Sequence, residues 1–139
     1  MTLKKIALLS LSVALLSAPA LAQSLAPEAQ TQNGVTFMSG GIGEEGLDSI
    51  RAAEHDYNLR LLFAVQGSGF YLSDVKVQII DAKGTTLVDT VSQGPYFLAK
   101  LKPGRYKVVA TSNGTAMTRT IEVPASGRAA QSFYWPSGG

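Results

Sequence analysis

Hydrophobic and polar residues alternate with a period of two along most of the chain beyond residue 58. Such alternation is typical of strands that bury one face and expose the other. It is clear in three of seven strand-like segments, 59–65, 75–80 and 106–111, and the seven are separated by turns rich in glycine, proline and asparagine. The segments are residues 59–65, 75–80, 85–91, 96–101, 106–111, 115–123 and 129–135. Seven short strands with turns every 8–12 residues or so predict a mainly β protein, an antiparallel two-sheet sandwich.

A helical period precedes the alternation. Apolar residues three to four positions apart would form one stripe on a helix of about four turns over residues 44–57; they are Leu47, Ile50, Ala53 and Tyr57. Two acidic residues, Glu44 and Glu45, fall in the first turn, where the helix dipole favours negative charge. A short strand at 35–38 and a glycine cluster come before the helix. We therefore predict a strand–loop–helix extension over 34–57 and a sandwich domain over 58–136.

The N-terminus has the order of zones found in a secretory signal peptide. Lys4 and Lys5 are followed by an apolar run over 6–16 and by small residues at Ala20 and Ala22. The run is shorter than the roughly 20 apolar residues that a membrane span needs. We therefore predict a signal peptide at 1–22, cleavage near Ala22, and a periplasmic or secreted chain that does not insert into a membrane. The polar stretch 23–33 predicts a disordered leader.

Charge and composition narrow the possible partners. The chain has 12 basic and 10 acidic residues, and cleavage would remove Lys4 and Lys5, which leaves a formally neutral protein. A neutral chain lacks the basic patch typical of nucleic-acid binding, so no nucleic-acid partner is expected. The sequence has no cysteine and a single histidine. No cofactor and no metal site are therefore predicted.

A set of spaced residues between 74 and 123 resembles a known family. The residues are Val75-x-Val77-x-Ile79-x-Asp81-x-x-Gly84, Gly94-x-Tyr96, Leu101-x-Pro103-Gly104-x-Tyr106-x-Val108-x-Ala110 and Gly114. This stretch is similar to the carboxypeptidase regulatory-like domains, whose fold is transthyretin-like (prealbumin-like). The resemblance implies a seven-stranded sandwich that acts as an accessory, stabilising or ligand-contacting module. The 35–57 segment is not part of that family's usual pattern.

The glycine cluster matches the consensus pattern of a nucleotide-binding motif. Residues 41–46, Gly-Ile-Gly-Glu-Glu-Gly, match GxGxxG after a possible strand and before a helix. Glu44 and Glu45 would, however, stand where a pyrophosphate needs positive potential, and the following chain is all β. We expect these glycines to shape a tight connection between strand and helix instead.

His55 is the residue on which an enzymatic hypothesis would depend. It lies between Glu54 and Asp56, and consecutive helical residues point about 100° apart, so the three cannot converge on one metal ion. A small exported hydrolase would use His55 with Glu44, Glu45 or Asp56. We favour the simpler interpretation, in which His55 lies at a solvated helix end and the protein is not an enzyme.

The C-terminal strand carries the candidate binding residues. Phe133, Tyr134 and Trp135 are consecutive, so a strand would direct Tyr134 to one face and its two neighbours to the other. One face can belong to the core, and the other is either covered by the 35–57 segment or exposed as a binding platform. Tyr134 and Trp135 are thus the predicted contact residues for another envelope protein or a glycan. The predicted function is a non-catalytic exported binding or accessory module, with a carbohydrate-binding module as the alternative.

Overall fold

The computed structural model describes residues 28–136. The predicted signal peptide and residues 23–27 of the predicted leader lie outside this range. Within it the chain forms nine strands, one α-helix and one 3₁₀ turn at Glu54–Asp56. The helix α1 is Gly43–Ala53, and the strands are β1 Gln30–Gln32, β2 Val35–Gly40, β3 Leu59–Val65, β4 Val75–Ile80, β5 Thr86–Ser92, β6 Tyr96–Lys100, β7 Gly104–Ser112, β8 Thr115–Val123 and β9 Ala129–Trp135. No helix in the described range is long and apolar enough to cross a membrane.

The strands form two sheets packed as a sandwich, which confirms the mainly β prediction. The first sheet has the order β1-β2-β6-β3-β9 and the second has the order β5-β4-β7-β8. The first sheet is mixed, because β9 pairs parallel to β3 from Leu59↔Ala129 to Val65↔Trp135. The predicted seven-stranded, wholly antiparallel sandwich is therefore wrong in two respects: the described sandwich has nine strands, and one pair is parallel.

The two additional strands come from the segment before the helix. β2 pairs with β6 from Thr36↔Lys100 to Gly40↔Tyr96, and Phe37 on β2 is buried in the main core. Residues 34–57 are thus partly built into the sandwich, and the predicted boundary at residue 58 does not separate two units. β1 lies within the predicted disordered leader, which is wrong for Gln30–Gln32. This strand pairs with β2 through a turn at Asn33 and Gly34, both of which have positive φ.

Side-chain hydrogen bonds fix β1 across the sandwich. The Gln32 side chain accepts a hydrogen bond from the Asp89 backbone N–H at 2.8 Å and donates one to the Asp89 carbonyl at 3.2 Å. The Asn33 amide donates to the Leu87 carbonyl at 3.0 Å. These contacts tie a short polar strand to β5 in the opposite sheet, which explains why β1 forms without a hydrophobic pattern of its own.

The main core lies between the sheets and contains the inward-facing residues of every strand except β1. Five of these residues are aromatic in ring contacts: Phe37 stacks on Phe97 at 5.5 Å, while Phe63, Phe133 and Trp135 pack together at 5.8–6.1 Å. A second, smaller apolar cluster lies on the outer face of the first sheet, where α1 covers it. That cluster consists of Met38, Ile50, Tyr57 and Leu98. The helix therefore covers only part of this outer face.

Candidate functional site

The structure separates the two predicted contact residues. On β9, Trp135 points into the core and is only 1% exposed, and its indole N–H donates to the Thr115 carbonyl at 2.9 Å. Tyr134 points to the outer face of the first sheet and is 48% exposed. Trp135 is therefore corrected from a contact residue to a core residue, because the alternation of the strand places it beside Phe133. Tyr134 stays a predicted binding residue, and α1 does not cover it.

A loop that follows β3 places two more aromatic residues near Tyr134. After β3 the chain turns back on the strand: the Val65 N–H donates to the Phe70 carbonyl at 2.7 Å, and the Leu72 N–H donates to the Phe63 carbonyl at 3.0 Å. An isolated β-bridge joins Tyr71 to Ala64. The loop is thus held by strand-like hydrogen bonds, which fix the backbone of Phe70 and Tyr71.

Ala64 lies between two tyrosines on adjacent strands. It pairs with Tyr134 on one side and with Tyr71 on the other. Because neighbouring strands are about 4.8 Å apart, the two tyrosine backbones flank Ala64 at a separation of about 10 Å. Ala64 itself is only 2% exposed, so the exposed surface here is formed by the two tyrosine side chains and not by the alanine.

Tyr96 extends this group toward the helix. Its ring centroid lies 6.0 Å from that of Tyr71, and the Arg60 guanidinium lies 5.2 Å above the Tyr96 ring. On its other side the ring meets Gly41, where an added Cβ would lie 2.6 Å from Cδ2 of Tyr96. Gly41 has a φ of 100°, and it leads directly to Ile42 at the start of α1.

These residues form what we call the aromatic surface: Ile42, Phe70, Tyr71, Tyr96 and Tyr134. Four large apolar side chains of this surface are strongly exposed, with Phe70 at 73%, Ile42 at 64%, Tyr71 at 60% and Tyr134 at 48%. In the described part of the chain, one other large apolar residue is comparably exposed, Val91 at 50% on β5 of the second sheet. Exposed apolar area is therefore concentrated at one end of one sheet.

Two arginines, Arg51 and Arg60, lie beside the aromatic surface, and the charge of Arg60 is partly neutralised by Glu54. Arg60 forms an ion pair with Glu54 at 2.9 Å while its guanidinium lies over Tyr96. Burial raises the pKa of Tyr96 above the ordinary value of 10.0, and the neighbouring Tyr71 adds to the rise, whereas Arg60 and Arg51 act to lower it. The Tyr96 phenol is therefore neutral at physiological pH, and a hydrogen bond links its side chain to that of Tyr71.

The glycine cluster has a structural role in this region. A Cβ on Gly46 in α1 would make an ordinary van der Waals contact with the Gly41 backbone at 3.4 Å, so the first turn of the helix lies against the connection from β2. With Gly41 against Tyr96, this packing fixes where α1 starts on the sheet. The glycines at 41–46 thus shape the strand-to-helix connection, as the sequence predicted.

His55 lies at the opposite end of β3, beside a separate open cleft of about 550 Å³. The lining residues are His55, Asp56, Tyr57, Asn58, Lys100, Gly127 and Arg128. Asp56 shares the cleft with His55, but Glu44 and Glu45 lie in the first turn of α1, roughly 16 Å away along the helix. Among residues 28–136, no serine or carboxylate hydrogen-bonds the exposed imidazole, and no cluster of three His, Asp or Glu side chains could hold a metal ion.

Comparison with known proteins gives no family for this chain. No protein-family model matches it, and no curated protein matches it. A solved structure described as "Crystal Structure of S.CueP" is similar over 76% of this chain and 76% of its own, with 12% sequence identity and a TM-score of 0.41. A similarity of this size carries no argument about function.

Four residues of the aromatic surface are not among the predicted contact residues: Ile42, Phe70, Tyr71 and Tyr96. Phe70 and Tyr71 follow Gly67-Ser68-Gly69, which marks a loop, and two aromatic residues next to a polar turn are a signal for exposure that could have been used. Tyr96 was assigned only to a strand. Its proximity to Tyr71 depends on the pairing of β6 with β3, which no local pattern encodes.

Proposed function

We propose that this protein is a non-catalytic, exported binding module that contacts another protein of the cell envelope through the aromatic surface. The observation that carries the proposal is the position of four exposed apolar residues in segments that meet at one end of the first sheet. Ile42 follows β2, Phe70 and Tyr71 follow β3, and Tyr134 lies near the end of β9. Contiguous exposed apolar patches on soluble proteins commonly mark interaction sites. The resemblance of residues 74–123 to carboxypeptidase regulatory-like domains supports an accessory role of this kind.

The chemistry of the surface suits a protein partner. Tyrosine and arginine are enriched in the energetically important centres of protein interfaces. Tyr71 and Tyr96 pack together, and Arg60 is held over the Tyr96 ring by its ion pair with Glu54. Side chains that are ordered in this way lose little conformational freedom when a partner binds, which favours affinity.

A glycan is the second candidate ligand. Tyr71 and Tyr134 flank Ala64 on adjacent strands and are 60% and 48% exposed, so their rings could stack on the apolar faces of sugar rings. Trp135 is buried, so its fluorescence is a poor reporter for this surface. Tyrosine ring resonances in an NMR titration with soluble cell-wall fragments report on it directly.

Export is part of the proposal, with a periplasmic or secreted location. A binding module and its partner must be in the same compartment. If the signal peptide at 1–22 exports this protein, its partner also lies outside the cytoplasm.

The hydrolase hypothesis depends on His55 and Asp56 in the open cleft, about 17 Å along β3 from Ala64. This hypothesis predicts that any hydrolase activity is lost in His55→Gln and is kept in variants of the aromatic surface.

Affinity capture from envelope extract tests the proposal. The tagged mature protein serves as bait, in the wild-type form, as Tyr71→Ala/Tyr134→Ala, and as the matched control Val91→Ala, which removes an exposed apolar side chain from the other sheet. We expect a partner that the wild type and the control retain equally and that the double variant loses by about tenfold or more. Equal retention by all three baits contradicts the proposal. A partner resistant to protease but sensitive to glycosidase selects the glycan candidate.

A further inference from the structure

The cleft beside His55 has the composition of a second site, separate from the aromatic surface. We propose that it binds a small molecule carrying an oxyanion group, either a carboxylate or a phosphate. Its volume of about 550 Å³ falls within the range of small-molecule pockets. Three segments of the chain form it: the 3₁₀ turn with the two residues that lead into β3, the end of β6, and the loop that leads into β9.

Asn58 fixes these three segments relative to each other. Its side-chain amide donates to the Leu101 carbonyl at 2.6 Å and its side-chain oxygen accepts from the Leu101 N–H at 2.8 Å. Its backbone N–H donates to the Ala99 carbonyl at 3.1 Å, and its carbonyl accepts from the Ala129 N–H at 2.8 Å. Asn58, which lines the cleft just before β3, is therefore hydrogen-bonded to β6, to Leu101 directly after β6 and to β9, so the segments around the cleft are fixed relative to one another.

The charged groups in the cleft are mostly basic. Lys100 and Arg128 line it with His55, and Asp56 is the single carboxylate among the lining residues. Lys100 is exposed and forms no ion pair with any residue in the described range. Arg128 reaches Glu54 only at 3.9 Å. Two permanent cations and an imidazole thus face one carboxylate, which leaves positive potential for an anion.

The remaining titratable neighbours do not cancel that potential. Glu54 is engaged by Arg60 at 2.9 Å, closer than its contact with Arg128. Tyr57 adds no charge, because burial, and then the nearby carboxylate of Asp56, raise the pKa of its phenol above 10.0. Charge-assisted hydrogen bonds from lysine and arginine to carboxylate or phosphate are among the stronger ones available to a protein. The oxyanion is therefore expected to lie between Lys100 and Arg128.

An NMR titration of the ¹⁵N-labelled mature protein tests this site, with citrate in one arm and inorganic phosphate in the other. We expect saturable amide shifts at residues 55–58 and 127–128, and the arm with the tighter response tells whether carboxylate or phosphate is preferred. Lys100→Ala/Arg128→Ala should weaken binding by about tenfold or more. The control Lys76→Ala/Lys83→Ala removes two exposed lysines of the second sheet and its β4–β5 turn and should leave binding unchanged.

A third variant gives a response that misfolding cannot imitate. Asp56→Asn removes the one opposing carboxylate, so both anions should bind several-fold more tightly, on the order of threefold to tenfold. Shifts scattered over all exposed lysines and arginines overturn the proposal. So does equal weakening by the test and control pairs, or an Asp56→Asn variant with unchanged or reduced affinity. None of these readouts depends on the aromatic surface, so this site and the proposed function can fail separately.

Discussion

Trp135 donates its indole N–H to the carbonyl oxygen of Thr115 at 2.9 Å, and this hydrogen bond joins the last strand of one sheet to the first residue of β8 in the other. The ring also packs against Phe63 and Phe133. We predict that Trp135→Phe lowers the free energy of unfolding by about 2 kcal/mol, since the lost hydrogen bond and the smaller ring each contribute on the order of 1 kcal/mol. Urea unfolding followed by circular dichroism measures it.

The neighbouring residue supplies the control for that measurement. Tyr134→Phe removes a hydroxyl from a half-exposed ring on the other face of β9, so stability should change by less than about 0.5 kcal/mol. Equal losses in the two variants would mean that Trp135 is not the core residue described above.

Gly94 marks a close approach between the loop before β6 and the end of β2. A Cβ at this position would lie 2.4 Å from the carbonyl carbon and oxygen of Gly40. We predict that Gly94→Ala destabilises the protein by several kcal/mol, on the scale of an overpacked core, because the obstacle is backbone and cannot rotate away. Thermal unfolding of Gly94→Ala against Gly46→Ala provides the comparison.

Gly46 differs because its added Cβ would meet the Gly41 backbone at 3.4 Å, an ordinary contact, and because alanine favours the helix by about 1 kcal/mol. Gly46→Ala should therefore melt at or above the wild-type temperature. A Gly94→Ala protein as stable as Gly46→Ala would refute the close approach of the two segments.

Three tyrosines link stability to alkaline pH. Burial is the first cause that raises the pKa of Tyr57, Tyr96 and Tyr106 above 10.0. The folded protein holds these protons more tightly than the unfolded chain, so their contribution to stability is full below about pH 10 and is lost as pH rises through the folded-state values. We expect the urea concentration at the unfolding midpoint of the wild type to fall as the pH is raised above about 10, and that of Tyr57→Phe/Tyr96→Phe to fall less steeply. Parallel curves for the two proteins would contradict this assignment.

Export makes a prediction about the N-terminus of the mature chain. A signal peptide at 1–22 should be removed, so that the exported protein begins at Gln23. Intact mass spectrometry of protein recovered from the periplasm or medium measures this. Ala22→Tyr should block processing, because the peptidase accepts small side chains at that position. An exported wild-type protein that retains Met1 would disprove cleavage.

Local patterns predicted much of the sandwich. Alternation predicted β3 and β4 at their observed limits, and the turn at Asn113-Gly114 and the loop at 124–127 predicted the limits of β8 and β9. The same dipeptide at Asn33-Gly34 makes the turn from β1 to β2, but Gln30–Gln32 is polar throughout and shows no alternation. That strand is held by pairing and by Gln32 contacts with Asp89, about 57 residues away, which a local pattern does not encode.

The candidate site was less predictable for the same reason. Tyr134 was found because three consecutive aromatic residues stand out on a strand. Its neighbours across the sheet depend on the parallel pairing of β9 with β3 and on a loop bridge from Tyr71 to Ala64. Both arise from tertiary packing over many residues. For Trp135, period-two alternation predicted only that it shares a face of β9 with Phe133. Which of the two faces is buried depends on core packing, which the local sequence does not encode.

The central claim is that the aromatic surface meets a partner in the compartment to which the protein is exported. Site-specific photocrosslinking in living cells tests it most directly, with Tyr134→p-benzoylphenylalanine as the probe and Val91→p-benzoylphenylalanine as the matched position on the other sheet. We predict a discrete crosslinked product from position 134 and none from position 91. No product at position 134, or the same products from both positions, would contradict the account.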